Sequence, residues 1–354
     1  MNPRTLVIAE AGVNHDGNLD KALALVDAAA AAKADIVKFQ TFKADKIVSR
    51  RAAKAQYQQR TTDAAESQHA MLVRLELGGA ALDAVMRRAT ERNIEFLSTP
   101  FDLESLQELL GRGVRRIKLG SGELTNAPLL VAVGRSQKPV LLSTGMGTLG
   151  EIERALAALA TGYLDLTPGA ATFAGVLNDK RAWPILRDRV TLLHCTTQYP
   201  TPAEDANLRA MATMRHAFGL PVGYSDHCLG AAVSVAAVAL GACGIEKHFT
   251  LDSRAPGPDH AASLEPDALA EMVRMIRETE AALGDGIKQP QPSEIANMAV
   301  ARKSLIAAAA IRAGEKFSEN NLTTKRPGTG RSPFEIFDIL GQVAARDYAP
   351  DDLI

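Results

Sequence analysis

Short β-rich apolar runs recur along this chain, each followed by an Ala- and Leu-rich stretch of helical periodicity, and the alternation reaches eight units. The runs are Thr5 to Gly12, Ile36 to Phe42, Glu95 to Phe101, Arg116 to Glu123, Pro139 to Met146, Val190 to Thr197, Pro221 to His227 and Gly244 to Thr250. Parallel strands need helical crossovers, so this order implies a parallel sheet wrapped by helices. Eight such units in about 285 residues fit a (β/α)8 barrel better than an open doubly wound sheet. The last helix starts at Glu265-Pro266 and sets Leu269, Val273, Ile276 and Leu283 on one face, which predicts a buried stripe. Two connections, roughly 43 to 70 and 161 to 189, lack this regularity, and no elements are assigned to them.

Beyond that helix, Gly284-Asp285-Gly286 and Lys288-Gln289-Pro290-Gln291-Pro292 break the helical pattern. The chain is thereby divided into a barrel over 1–285, a linker over 286–298 and a small domain over 299–354. A core as small as the last one stabilises a domain only marginally, so it is expected to pack on something larger. With 40 Lys+Arg against 41 Asp+Glu, the charge gives no reason to expect a nucleic-acid or membrane partner. The absence of a signal-peptide pattern and of any apolar stretch of ~18 residues points to a cytoplasmic protein with a small substrate. Cys195, Cys228 and Cys243 stand at unpaired spacings and read as buried thiols.

A barrel gathers its chemistry at the C-terminal ends of its strands, and those ends are unusually polar in this chain. His227 ends the seventh run and His248 lies near the end of the eighth, a pair suited to a divalent metal with positions left open for substrate oxygens. A lone histidine is more often a hydrogen-bonded core residue; adjacency on one rim reverses the balance. Lys38 and Lys118 would offer two fixed positive charges to an anion carrying phosphate and carboxylate, assisted by Thr99, Ser121 and Ser143. Their structural alternative is ion pairing with Glu10 or Glu123. A Schiff-base lysine is a further reading. Gly120-Ser121-Gly122-Glu123 is either a phosphate-cradling loop or an ordinary strand-to-helix turn, and the prolines after Cys195 stiffen a loop carrying Tyr199.

These motifs together resemble the bacterial sialic acid synthases, the N-acetylneuraminate synthase family that includes legionaminate and pseudaminate synthases. The carriers include Ile8-Ala9-Glu10-Ala11-Gly12-Val13-Asn14-His15, Val37-Lys38-Phe39-Gln40-Thr41, Lys118-Leu119-Gly120-Ser121-Gly122-Glu123, Gly223-Tyr224-Ser225-Asp226-His227, Glu246-Lys247-His248-Phe249-Thr250 and Lys325-Arg326-Pro327-Gly328. The resemblance spans the chain. It implies a (β/α)8 TIM barrel followed by an antifreeze-like (SAF) domain, in a homodimer whose exchanged C-terminal domains cover the partners' barrel mouths. Carried over by motif, His227 and His248 hold Mn2+, with Mg2+ or Co2+ as substitutes. Lys38, Thr99, Lys118, Ser121, Ser143 and Ser225 hold phosphoenolpyruvate, with Thr197 a further contact where some members carry asparagine. Gln40, Tyr199 and Asp259 meet the sugar, and Arg326 reaches its N-acetyl group from the other subunit.

The expected reaction joins phosphoenolpyruvate to open-chain N-acetylmannosamine, giving a nine-carbon 2-keto acid and phosphate. The metal would polarise the aldehyde, and Glu10 would handle protons near the adding water. Glu123 is a second candidate carboxylate, or one that orients a lysine. The alternative acceptor is 2,4-diacetamido-2,4,6-trideoxymannose, which would make the chain an N,N'-diacetyllegionaminate synthase. A noncatalytic sugar-binding protein is the alternative from another class.

Overall fold

The computed structural model describes residues 4–63 and 65–354, apart from the side chains at 57 and 60. Eight strands form one parallel sheet: β1 Leu6–Gly12, β2 Ile36–Thr41, β3 Glu95–Pro100, β4 Ile117–Leu119, β5 Val140–Ser143, β6 Val190–His194, β7 Val222–Asp226 and β8 Gly244–His248. The hydrogen-bonded order runs β3, β2, β1, β8, β7, β6, β5, β4. First and last strands are therefore neighbours, with Glu10 opposite His248, and β3 adjoins β4 without a ladder. That cyclic order is a (β/α)8 barrel, as the alternation predicts, and excludes the open sheet.

Alternate residues of each strand face opposite sides, which divides the core in two. Val7, Ala9, Val37, Phe39, Leu119, Leu142, Leu192 and Ile245 pack outward beneath the helices. Ile8, Ile36, Leu97, Leu141 and Leu193 face inward as a separate apolar plug. This plug floors the barrel and leaves inward residues nearer the strand ends to line its mouth.

The closing helix Pro266–Leu283 packs on helices Leu19–Ala31 and Ala232–Ala239. It buries Leu269, Met272, Val273 and Ile276; Leu283, at its last turn, is 43% exposed, contrary to the periodicity reading. The irregular connection near 43 to 70 folds into helices Ala44–Ile47, Gln56–Thr61 and Gln68–Leu75, the last capped by the Ser67 side chain on the Ala70 amide. The stretch from 161 to 189 holds helices Ala170–Gly175 and Ala182–Arg189, with Trp183 half-buried against the main core. Cys195 and Cys228 are buried as expected, whereas Cys243 is only partly so. Among the described residues no helix is long and apolar enough to cross a membrane.

A second compact unit runs from Asp285 to Ile354. Strands β9 Ser304–Ala307 and β10 Leu322–Lys325 pair antiparallel over a small core of Leu305, Ile311, Phe317, Leu322 and Ile339. The segment expected to be linker contains helix Pro292–Ala301, which starts on a capping box between Gln291 and Glu294. Proline at the first helical position suits a helix start, so the Pro-rich composition marked a boundary without excluding a helix.

Candidate active site

Above the apolar plug the inward positions become Glu10, Lys38, Thr99, Lys118, Ser143, Ser225 and Glu246, and all are buried. One step of the same parity further come Gln40, His227 and His248. These side chains line one cavity of about 280 Å³, together with Ser121, Thr197, Tyr199 and Asp259. Residues scattered from 10 to 259 thus meet because a barrel brings strand ends into a ring.

Four buried charges occupy its floor. Lys38 Nζ lies 2.6 Å from Glu10 Oε2 and 3.5 Å from Glu246 Oε2, and donates to Thr99 Oγ1 at 3.1 Å. Lys118 Nζ stands 3.5 Å from Glu246 Oε1 and donates to Ser143 Oγ at 2.8 Å. Burial pushes Glu10 up to about 7, with Lys38 opposing and Glu246 adding repulsion. Burial would also raise Glu246, but Lys118 and Lys38 outweigh it and hold that carboxyl down at about 2. Lys38 is raised, since its two carboxylate partners overcome desolvation, whereas desolvation prevails at Lys118 and lowers it. Both readings of Lys38 are therefore realised at once: it is ion-paired and it lines the cavity. The partner of Lys118 is Glu246 and not Glu123.

On the rim, the His227 and His248 rings lie 5.6 Å apart, with Tyr199 packed 4.2 Å from the first and 5.6 Å from the second. His227 Nδ1 is 2.6 Å from the Thr196 carbonyl and so must carry the proton, which leaves the Nε2 lone pair directed away from the backbone. Ser225 Oγ lies 3.3 Å from that nitrogen, but the shorter contact, 2.8 Å to Glu246 Oε1, takes the hydroxyl hydrogen. Burial lowers His227 to about 4 and, with repulsion from His227 and Lys38, takes His248 well below its ordinary value. Both rings are neutral near pH 7. His248 Nδ1 has no hydrogen-bond partner among the described residues and stands 3.9 Å from Asp259 Oδ2, a carboxyl that burial raises to about 6. Neutral imidazoles with free lone pairs fit a divalent ion. Among the described residues no set of three or more His, Cys, Asp or Glu side chains forms a complete cage. An ion held by these two histidines would therefore keep coordination positions open.

Of the site residues expected from the sequence, one in the first unit lies outside the cavity. Glu123 does not line the cavity; its Oε2 accepts from Asn126 Nδ2 at 2.6 Å, because the backbone enters a 3-10 turn after Leu119 and strand parity ends there. Arg326 belongs to the second unit, where it is exposed and its Nε donates to the Ala301 carbonyl at 3.0 Å. Glu246, conversely, is a cavity residue beyond those expected from the sequence; it sits two residues before His248 and so shares its face.

Asp226 and Lys247 have the opposite parity and never reach the cavity. They pair at 3.0 Å on the barrel's outer face, both wholly buried; Asp226 also accepts from the Cys228 amide and Ser234 Oγ, and Lys247 donates to the Cys228 carbonyl. Lys247→Met is expected to destabilise the first unit by about 3–5 kcal/mol, because it strands a buried carboxylate. Urea unfolding followed by circular dichroism checks this, and a loss below ~1 kcal/mol would show that the network is not needed for stability.

The cavity also has an apolar side that sequence reading did not foresee, lined by Val13, Phe42, Ile47, Met71, Leu72 and Phe101, with Gln58 and Gln68 alongside. Most of these come from the irregular segment after β2, which carries no motif to mark them.

With this geometry in view, comparison with known proteins is informative. The model of the NeuB family matches residues 25–288, and that of the SAF domain matches 302–354. The N,N'-diacetyllegionaminic acid synthase of Campylobacter jejuni is 48% identical over 351 residues, 99% of each chain. That of Legionella pneumophila is 42% identical over 335 residues, 95% of this chain and 89% of the other. Among solved structures, the N-acetylneuraminic acid synthetase of Leptospira borgpetersenii superposes with a TM-score of 0.65 at 33% identity, covering 84% of this chain and 91% of that one.

Proposed function

Because the chain belongs to the NeuB family and ends in a SAF domain, we propose that it condenses phosphoenolpyruvate with open-chain 2,4-diacetamido-2,4,6-trideoxymannose to give N,N'-diacetyllegionaminate and phosphate. Members of this family are synthases that join phosphoenolpyruvate to an acetamido sugar, so the noncatalytic reading falls. The motifs alone put N-acetylmannosamine first. The 48% and 42% identity to two diacetyllegionaminic acid synthases favours the second acceptor. What carries the chemical reading is the floor of the cavity, where two ammonium groups and two carboxylates meet beneath two neutral imidazoles.

Lys38 and Lys118 bind the phosphate and carboxylate of phosphoenolpyruvate, with Thr99, Ser121, Ser143 and Thr197 donating hydrogen bonds and Ser225, whose own hydrogen goes to Glu246, lining the same floor. A divalent ion, Mn2+ in this reading, held by His227 and His248 would supply Lewis acidity at the sugar aldehyde. Carbon C3 of phosphoenolpyruvate bonds to the aldehyde carbon, and positive charge develops at C2. Glu10 gives a proton to the new alkoxide and later takes one from the water that adds at C2, so it returns to its starting state. The tetrahedral intermediate then releases phosphate by carbon–oxygen cleavage. A carboxyl with pKa about 7 suits both transfers at neutral pH. Gln40, Tyr199 and Asp259 meet the sugar. In an exchanged homodimer, Arg326 of the partner subunit would donate to the acetamido carbonyl.

Purified protein incubated with phosphoenolpyruvate, Mn2+ and each acceptor tests the proposal through product mass and phosphate release. Turnover of neither sugar would refute the synthase reading, and preferential turnover of N-acetylmannosamine would refute the choice of acceptor. Gly145→Ala offers a finer check. A methyl there would meet Ser121 Oγ at 2.8 Å, Cys195 Sγ at 3.1 Å and, closer still, Thr197 Oγ1. The KM for phosphoenolpyruvate is expected to rise at least about tenfold, since these hydroxyls must move away from the anion; an unchanged KM would remove Ser121 and Thr197 from the binding set.

A further inference from the structure

The polar floor and the imidazole rim account for phosphoenolpyruvate and the reacting aldehyde, which leaves the apolar side of the cavity without a role in the chemistry. Val13, Phe42, Met71 and Leu75 form a tight cluster of their own, each at most 5% exposed, and Ile47, Leu72 and Phe101 pack around it while remaining partly open. The cluster and its neighbours Ile47, Leu72 and Phe101 line the cavity, as do Gln58, whose Oε1 accepts from the Ala55 amide at 3.0 Å and whose Nε2 stays available, and Gln68. An apolar surface flanked by two primary amides complements a group that carries both a methyl and an amide. A hydroxyl set against the aliphatic and aromatic part of that surface would lose water without gaining a partner.

We propose, building on the synthase reading above, that Ile47, Leu72, Phe101, Gln58 and Gln68 form the subsite for the far half of the acceptor and select a 4-acetamido group and a C6 methyl. N-acetylmannosamine carries hydroxyls at both of those carbons. The helices Gln56–Thr61 and Gln68–Leu75, inserted after β2, are thus specificity elements, whereas the barrel strands supply the shared chemistry. Apolar pockets discriminate weakly against an added hydroxyl, by about 10- to 100-fold, and a preference of that size is expected here.

The experiment measures kcat/KM for both acceptors in the wild type and in Leu72→Asn, Gln68→Leu and Leu72→Met, with the KM for phosphoenolpyruvate and the unfolding midpoint as controls. Leu72→Asn and Gln68→Leu are each expected to cut the ratio of diacetamido to monoacetamido sugar at least about tenfold. Leu72→Met, which keeps volume and polarity, should hold the ratio within about threefold. Equal loss on both sugars, or an unchanged ratio in both polarity-changing variants, overturns the subsite. A wild type that prefers N-acetylmannosamine also overturns it while leaving the synthase reading intact. Wild-type protein that turns over neither sugar defeats the synthase reading itself, before any variant is compared.

Discussion

Glutamine in place of Glu10 is expected to lower kcat/KM by about 10²- to 10⁴-fold, the usual worth of a positioned proton donor. The substitution keeps the side-chain shape, so Gln40 and the cavity wall retain their neighbour; what disappears is a group that exchanges a proton near pH 7. The sign of the pH dependence follows from the first chemical step, which requires the protonated carboxyl to quench the new alkoxide. Wild-type kcat/KM should fall as pH rises through about 7, and the variant should lack that limb. Stability responds in the same direction. A carboxyl raised from 4.5 to about 7 by folding favours the folded state fully below 4.5, and that contribution is lost as pH rises through about 7. Glutamine stays neutral and abolishes this slope in urea unfolding. A variant within threefold of wild type, with its limb intact, would reduce Glu10 to an ion-pair partner of Lys38.

The pair His227→Ala and His248→Ala should lose Mn2+ binding by titration calorimetry and lose phosphate release by about 10³-fold or more, matching exhaustive chelation of the wild type. The two imidazoles can serve as ligands because burial keeps them neutral. The same burial makes them a liability in acid. Their folded pKa values lie below 6.5, so their contribution to stability is complete above 6.5 and is lost as pH falls, through about 4 for His227. The double alanine variant should unfold with a weaker acid dependence than the metal-free wild type. Phosphate release that persists under chelation in the variant would contradict the metal reading. Borohydride trapping of an adduct at Lys38 or Lys118, the latter a buried lysine with lowered pKa, would select a Schiff-base mechanism instead.

Several features of the site were legible before any coordinates, for a definable reason. The eight alternating runs force a ring of parallel strands, and a polar residue near the end of a buried run has nowhere to go but the mouth or the helix interface. Lys38, Lys118, His227 and His248 took the first course. Strand parity separates the two courses: applied to β7 and β8, it places Ser225, Glu246 and His248 inside and Asp226 and Lys247 outside. Glu123 escaped that logic because a 3-10 turn interrupts the period just before it. The apolar wall escaped it because helices 44–47, 56–61 and 68–75 are too short for periodicity to reveal what they face.

Local chemistry along the chain was enough to determine the barrel, the inward lysines and the paired histidines, since strand period and crossover geometry act within one βα unit. Tertiary structure alone decided that Glu246 is shared by both lysines, that Glu10 is the carboxyl left near neutrality and that an apolar wall faces the charged floor. Those properties depend on distances between strands far apart in sequence and on how completely each group is withdrawn from water, and neither quantity is carried by any short stretch of residues.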